Sequence, residues 1–351
     1  MAEPSPEPED RAPLSQSAPP ILLEVSAVVI AVVDETPLVL TVRSVGADGV
    51  ARHALPSGAF DPLRHRTLAE AVRAHVSTEA GLDLGYVEQL YTFADRYRDP
   101  RELSGGPRRV SVGYLALVRR ARAAGRTDAE WLDLYDFLPW EDRRDGNGHE
   151  RNTPIAERLR EWIASDPEPA TQRSRRERLA FSFPPEGGWD PARALDRFEM
   201  LYEIGLAAEA RRDAWERAAS AALTLGASRV AAPSLPEGEQ LGREMVQDHR
   251  RMLATGLSRL RGKLDYRPVI FELLPRQFTL FRLQSVVEAL TGVRLHKQNF
   301  RRLVITGGLV EPTGERDEST GGRPAALYRF RREVIRERPT PGVGLPLFRP
   351  A

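Results

Sequence analysis

The chain has 351 residues, longer than one ordinary domain, so two or three folded units are expected. Lys and Arg number 51 against 50 Asp and Glu, a formal charge of +1, and 41% hydrophobic residues give ample material for cores. No run of about eighteen apolar residues occurs, the N-terminus lacks a signal-peptide pattern, and there is no cysteine. A membrane span, disulfides and thiolate metal sites are therefore excluded, and a cytoplasmic chain is expected.

Residues 1–20 hold six prolines together with Glu3, Glu7, Glu9 and Asp10, a composition that favours a disordered tail. Residues 25–33 and 38–42 are β-branched apolar runs joined by 34–37, which predicts two strands and a tight turn. Leu55-Pro56-Ser57-Gly58 breaks the pattern, and Thr67 with Glu70 then forms a capping box. Leu68, Val72 and Val76 follow at helical spacing, and Gly81 stands where a left-handed C-cap belongs. Strands are expected over 85–94 and 109–118 with a polar loop at 96–107, completing an α/β domain over 21–150. The middle segment, 151–239, has no internal repeat. It predicts helices at 154–164 and 191–223, the latter with Asp190 as N-cap and Pro191 in the first turn, between linkers at 166–176 and 232–239.

Charge is segregated. Residues 267–338 carry 14 basic and 8 acidic side chains, a net +6 that leaves −5 for the rest. A basic module on an otherwise acidic chain suits nucleic acid, because phosphate neutralisation supplies most of such affinity; a solvated Arg-rich surface is the plainer alternative. Within 240–338, Thr279 caps a predicted helix running to about 290, and Gly292 ends it. A second helix over 297–306 stops at Gly307-Gly308. Phe300, Leu303 and Val304 make its apolar face and turn Lys297, Gln298, Arg301 and Arg302 elsewhere. Strands at 309–313 and 326–330 around 314–324 complete a winged helix-turn-helix, and 339–351 form a C-terminal tail.

The residues from Leu55-Pro56-Ser57-Gly58 to Glu79-Ala80-Gly81-Leu82 resemble the Nudix box. Its hallmark is a glycine, an upstream glutamate and an Arg-Glu-aliphatic-x-Glu-Glu-x-Gly-aliphatic helix. Gly81, Leu82, Glu79 and Val76 agree. Ala74 replaces the arginine, His75 and Thr78 replace glutamates, and Arg64 or Arg66 falls where the upstream glutamate belongs, with two residues of extra spacing. In active relatives several carboxylates on this helix face hold divalent metal on a substrate pyrophosphate. With Glu79 alone remaining beside a threonine and a histidine, the resemblance implies a Nudix-like sandwich that binds a ligand with no metal and no catalytic residues. Replacement ligands from Glu70, Asp61 or Asp95 would restore a pyrophosphohydrolase.

Leu260-Arg-Gly-Lys-Leu-Asp-Tyr266, Phe271-Glu-Leu-Leu-Pro275, Asn299-Phe-Arg-Arg302, Pro312-Thr-Gly-Glu315 and Gly322-Arg-Pro-Ala325 are similar to the winged-helix part of the Nudix-related transcriptional regulators of NAD metabolism. That family implies a homodimeric repressor of a double-stranded DNA operator whose sensor binds ADP-ribose or a related metabolite. Some relatives control sugar catabolism with other effectors. The resemblance covers about 21–120 and 240–332 and leaves the role of the middle segment open. Lys297, Gln298, Asn299, Arg301, Arg302 and Arg323 are the expected DNA contacts, although Asn299 equally suits holding the turn. Arg43, Arg98 and Arg101 are expected to meet an effector diphosphate, with Phe93 or Tyr97 stacking on a purine and Glu79 beside them. A surface carrying salt bridges is the competing account of each arginine.

Overall fold

A computed structural model describes residues 20–45, 49–95, 102, 106–119, 128–185, 188–224, 241–318, 324–339 and 341–343. The expected tails at 1–20 and 339–351, and the linker at 232–239, lie wholly or mostly outside them.

The first unit is built on one sheet. Its strands are β1 (Ile21–Val33), β2 (Thr36–Val45), β3 (Ala51–Ala54), β4 (Ser57–Ala59), β5 (Tyr86–Phe93), β6 (Arg108–Leu117) and β7 (Ala129–Asp133). The order is β3-β2-β1-β6-β5, with β4 also on β1 and β7 on β2; β1 and β6 run parallel and the other pairs antiparallel. β1 is apolar on both faces because both are covered. Val25, Ala27 and Val29 pack with Ala71, Val72, Val76 and Ala80 of α1 (Leu68–Ala80), while Val28, Ile30 and Val32 face the opposite way. α1 keeps the expected caps. Thr67 accepts from the Glu70 N–H at 3.1 Å, Glu70 reaches back to the Arg66 N–H at 2.9 Å, and Gly81 is left-handed at φ 64°.

The β1–β2 turn is tighter than four residues: Val33 pairs with Thr36, and only Asp34 and Glu35 turn, both at positive φ. Non-glycine residues tolerate that conformation only when held. Here the Arg144 guanidinium donates to the Glu35 carbonyl at 2.5 Å, and Ser285 donates to the Glu35 carboxylate at 3.2 Å.

The middle of the chain is more helical than its sequence suggests. After α2 (Leu134–Phe137) come α3 (Gly148–Ala164), α4 (Pro169–Ser182), α5 (Ala194–Glu203) and α6 (Ala208–Thr224). The expected linker at 166–176 is therefore mostly α4, started by Pro169 behind the Glu168 cap. The single helix expected at 191–223 is broken at 204–207, where Gly205 has φ 72°.

α7 (His249–Tyr266) leads toward the last domain in sequence but packs on the sheet. Met252, Leu253, Leu257 and Leu260 share the core of Val28 and Ile30. Gly256 permits this, because a Cβ there would lie 2.9 Å from the Val28 side chain. A boundary at 240 thus assigns to the last domain a helix that closes the second face of the sheet. The winged helix follows: β8 (Phe278–Thr279), α8 (Leu280–Thr291), α9 (Lys297–Thr306), β9 (Val310–Asp317), β10 (Ala325–Phe330) and the short α10 (Val334–Glu337), with sheet order β8-β10-β9.

Candidate nucleic-acid interface and effector pocket

α8 and α9 form the helix-turn-helix. Thr279 accepts from the Arg282 N–H at 3.1 Å, and Gly292 closes α8 at φ 72°. α9 buries only Phe300 and Val304. Leu303, grouped with them in sequence, is half-buried. Lys297, Gln298, Asn299, Arg301 and Arg302 are all exposed, and no described carboxylate forms an ion pair with Lys297, Arg301 or Arg302. The structure therefore brings five expected DNA contacts onto one helix. Asn299 holds no turn through a described hydrogen bond, and the N-cap residue, His296, makes no side-chain cap. The first N–H groups of α9 thus stay open to an outside acceptor. Arg323 lies outside the described residues. Ile305, near the end of α9, is 49% exposed.

The expected effector contacts are not gathered in the same way. Arg43 on β2 sits 3.5 Å from Glu130, both half-exposed, as its plainer account anticipated. Phe93 cannot stack on an open ligand. It is 3% exposed, packed on the α7 side of the sheet with its ring 3.1 Å from where a Gly113 Cβ would stand. Its sequence position misled because β5 is irregular between Gln89 and Thr92; Tyr91, 65% exposed and edge-on to Phe93, is the aromatic presented outward. Glu79 is half-buried on α1, across the sheet from Phe93. Tyr97, Arg98 and Arg101 lie outside the described residues.

At the box itself, His75 packs against β4. Its ring lies so close to Gly58 that a Cβ there would come within 2.2 Å, and its Nε2 is 3.0 Å from the Ala59 carbonyl. His65 stands edge-on, 5.6 Å away. Among the described residues no group of three or more His, Asp or Glu side chains converges on one point. Glu70 is committed to the α1 cap, Asp61 lies 3.4 Å from Arg64, and Asp95 accepts from Arg251 at 2.9 Å.

Between the sheet domain and the winged helix lies a fully buried charge cluster. The Glu141 carboxylate receives Arg197 at 2.5 and 2.8 Å and also receives Arg261, all three side chains at 0% exposure. Burial alone would raise the Glu141 pKa; the two guanidinia outweigh it and hold the carboxyl below its usual range. Tyr135 donates to the Ala289 carbonyl at 2.7 Å, and burial pushes its pKa up to about 12, so it stays a donor. Arg261 also donates to the Leu290 carbonyl at 2.7 Å, and the Arg143 N–H to the Gly292 carbonyl at 2.7 Å. The segment after β7, the inserted α5, the sheet-covering α7 and the end of α8 thus meet at one point.

Comparison with known proteins supports this architecture. The family model described as NrtR DNA-binding winged helix domain matches residues 270–330. The ADPR responsive transcriptional repressor NtrR of Acinetobacter baylyi is 39% identical over 87 residues, 25% of this chain and 34% of that protein. The chain therefore matches about a third of that curated relative's length. The crystal structure of Shewanella oneidensis NrtR complexed with a 27mer DNA superposes over 90% of this chain and 95% of its own, with TM-score 0.52 and 20% identity. A MutT/nudix family protein from Enterococcus faecalis matches 90% of each chain, with TM-score 0.50 and 17% identity. The expected combination of Nudix-like sandwich, helical middle and winged helix is borne out, and residues 270–330 match the model of the NrtR DNA-binding winged helix domain.

Proposed function

We propose that the chain is a homodimeric transcriptional repressor that reads an operator with α9 and senses ADP-ribose or a related NAD metabolite through its Nudix-like domain. The observation that carries this reading is the α9 face: Lys297, Arg301 and Arg302 stand in solvent without a described carboxylate, on a domain whose sequence matches a DNA-binding family. The ADPR-responsive relative supports the choice of effector. In a dimer, two such helices enter successive major grooves roughly 34 Å apart. Gln298 and Asn299 offer hydrogen bonds to base edges, Lys297, Arg301 and Arg302 neutralise phosphates, and the uncapped α9 N-terminus donates to another phosphate. Arg323 is assigned to the wing on sequence alone.

The sensor is read as a binder without turnover. Divalent metal on a pyrophosphate needs several hard oxygen ligands, whereas the box offers Glu79 with Thr78 and an imidazole already placed on Gly58. The charge cluster around Glu141 and the Glu35 turn give occupancy a route to α8, provided the ligand favours one arrangement over the other. Two measurements test the reading. Binding to duplex from upstream of the chain's own operon is expected to weaken steeply with salt and to be relieved by ADP-ribose; a flat salt response removes DNA as the partner. Steady release of AMP from ADP-ribose with Mg²⁺, abolished by Glu79→Gln, would instead establish a hydrolase.

A further inference from the structure

α9 carries one large side chain that neither its core contacts nor its charge explains. Ile305 is 49% exposed and belongs to neither hydrophobic cluster, although Phe300 and Val304 on the same helix are buried at 1% and 0%. It follows Arg301 by four residues and Lys297 by eight, so all three line one side of the helix. That side otherwise presents Lys297, Gln298, Arg301 and Arg302 to solvent. The major-groove floor consists of hydrogen-bonding edges except for one apolar group, the thymine 5-methyl. An aliphatic side chain within a cationic reading face has that single matching partner.

Accepting α9 as the groove-reading element, we propose that Ile305 selects a thymine by packing on its methyl, and that α9 lies along the groove rather than entering by its tip. The second part follows from length. Eight residues separate Lys297 from Ile305, about 12 Å along the axis, whereas the groove is only about 8.5 Å deep. A helix entering end-on through its first turn would leave Ile305 outside; one lying along the groove brings residue 305 to the bases.

The test uses the full chain and duplexes it enriches from a random-sequence library, with each thymine replaced in turn by deoxyuridine, which lacks only the methyl. The expected result is one thymine per half-site whose replacement weakens wild-type binding about fourfold, as loss of one buried methyl implies. Ile305→Ala should bind the thymine duplex about as weakly as wild type binds the deoxyuridine duplex, and should lose nothing further on replacement. Equal losses in both proteins, or no thymine whose methyl matters, overturn the assignment while leaving DNA binding intact. Enrichment of no duplex at all removes the DNA reading on which it rests.

Discussion

Two groups of arginines differ in almost everything but side-chain identity. On α9, Arg301 and Arg302 stand in water with no described carboxylate partner. Within the junction, Arg197 and Arg261 are fully buried, share the Glu141 carboxylate and donate to the backbone of α8 and of the Asp190-Pro191 turn. A hydrated, unpaired guanidinium contributes little to folding and leaves its charge available to a phosphate. A dry one must be matched bond for bond, since an uncompensated buried charge costs several kcal/mol. The contrast separates arginines left open to an outside anion from those that hold the sheet domain, the helical middle and the winged helix together.

The most direct challenge to that contrast is to remove the shared carboxylate. Glu141→Ala leaves two desolvated guanidinia facing each other and is expected to cost about 3–5 kcal/mol, read as a fall in urea midpoint. A cost under about 1 kcal/mol would show that water reaches the cluster and that the junction is not a dry clamp. Gly292→Ala attacks the same place through the backbone. The residue sits at φ 72°, and its Cβ would meet the Glu141 carbonyl at 2.1 Å, so a loss above about 2 kcal/mol is expected from strain and displacement. Both variants should also blunt ADP-ribose relief of DNA binding in protein that remains folded.

The α9 arginines should behave in the opposite manner. Arg301→Ala with Arg302→Ala is expected to leave stability within about 0.5 kcal/mol. In a salt titration of duplex binding it should lower the slope by about 0.9 for each phosphate no longer neutralised, weakening all sequences alike. Unchanged salt dependence with lowered stability would place these residues with the junction.

Much of this was legible in the sequence wherever a local rule decides the outcome. Thr67 and Gly81 fixed both ends of α1, Thr279 and Gly292 those of α8, and the 297–306 span of α9 emerged intact because caps and helical spacing act within a few residues. α4 escaped notice because its core-facing stripe is little more than Leu179, too thin a signal in an Arg-rich stretch. The junction was invisible because Glu141, Arg197 and Arg261 lie 56 and 120 residues apart in their pairings. Nothing in an arginine's neighbours along the chain says whether it will be buried. Phe93 was misplaced for a related reason: an irregularity in β5 decides which aromatic faces out, and residue type does not record it.

The smallest effect tests whether the sheet domain's own edge is as shielded from water as the junction. His53 on β3 is 8% exposed, with its Nδ1 3.5 Å from Thr41 and its ring edge-on to Phe137. Burial first, and then the Arg43 charge, hold its pKa below the ordinary imidazole value, with Glu130 opposing in part. A lowered native pKa means that the unfolded chain takes up the proton first. Stability is therefore full above about pH 6.5 and falls as the pH drops below that value toward the native pKa. Thermal melts of wild type at pH 7.5 and 5.5 should show a larger loss than those of His53→Gln, in which this contribution is absent and the other histidines are unchanged. Equal losses would mean that His53 gains its proton as readily folded as unfolded. The β3 edge would then be open to water on the side where Arg43 meets Glu130.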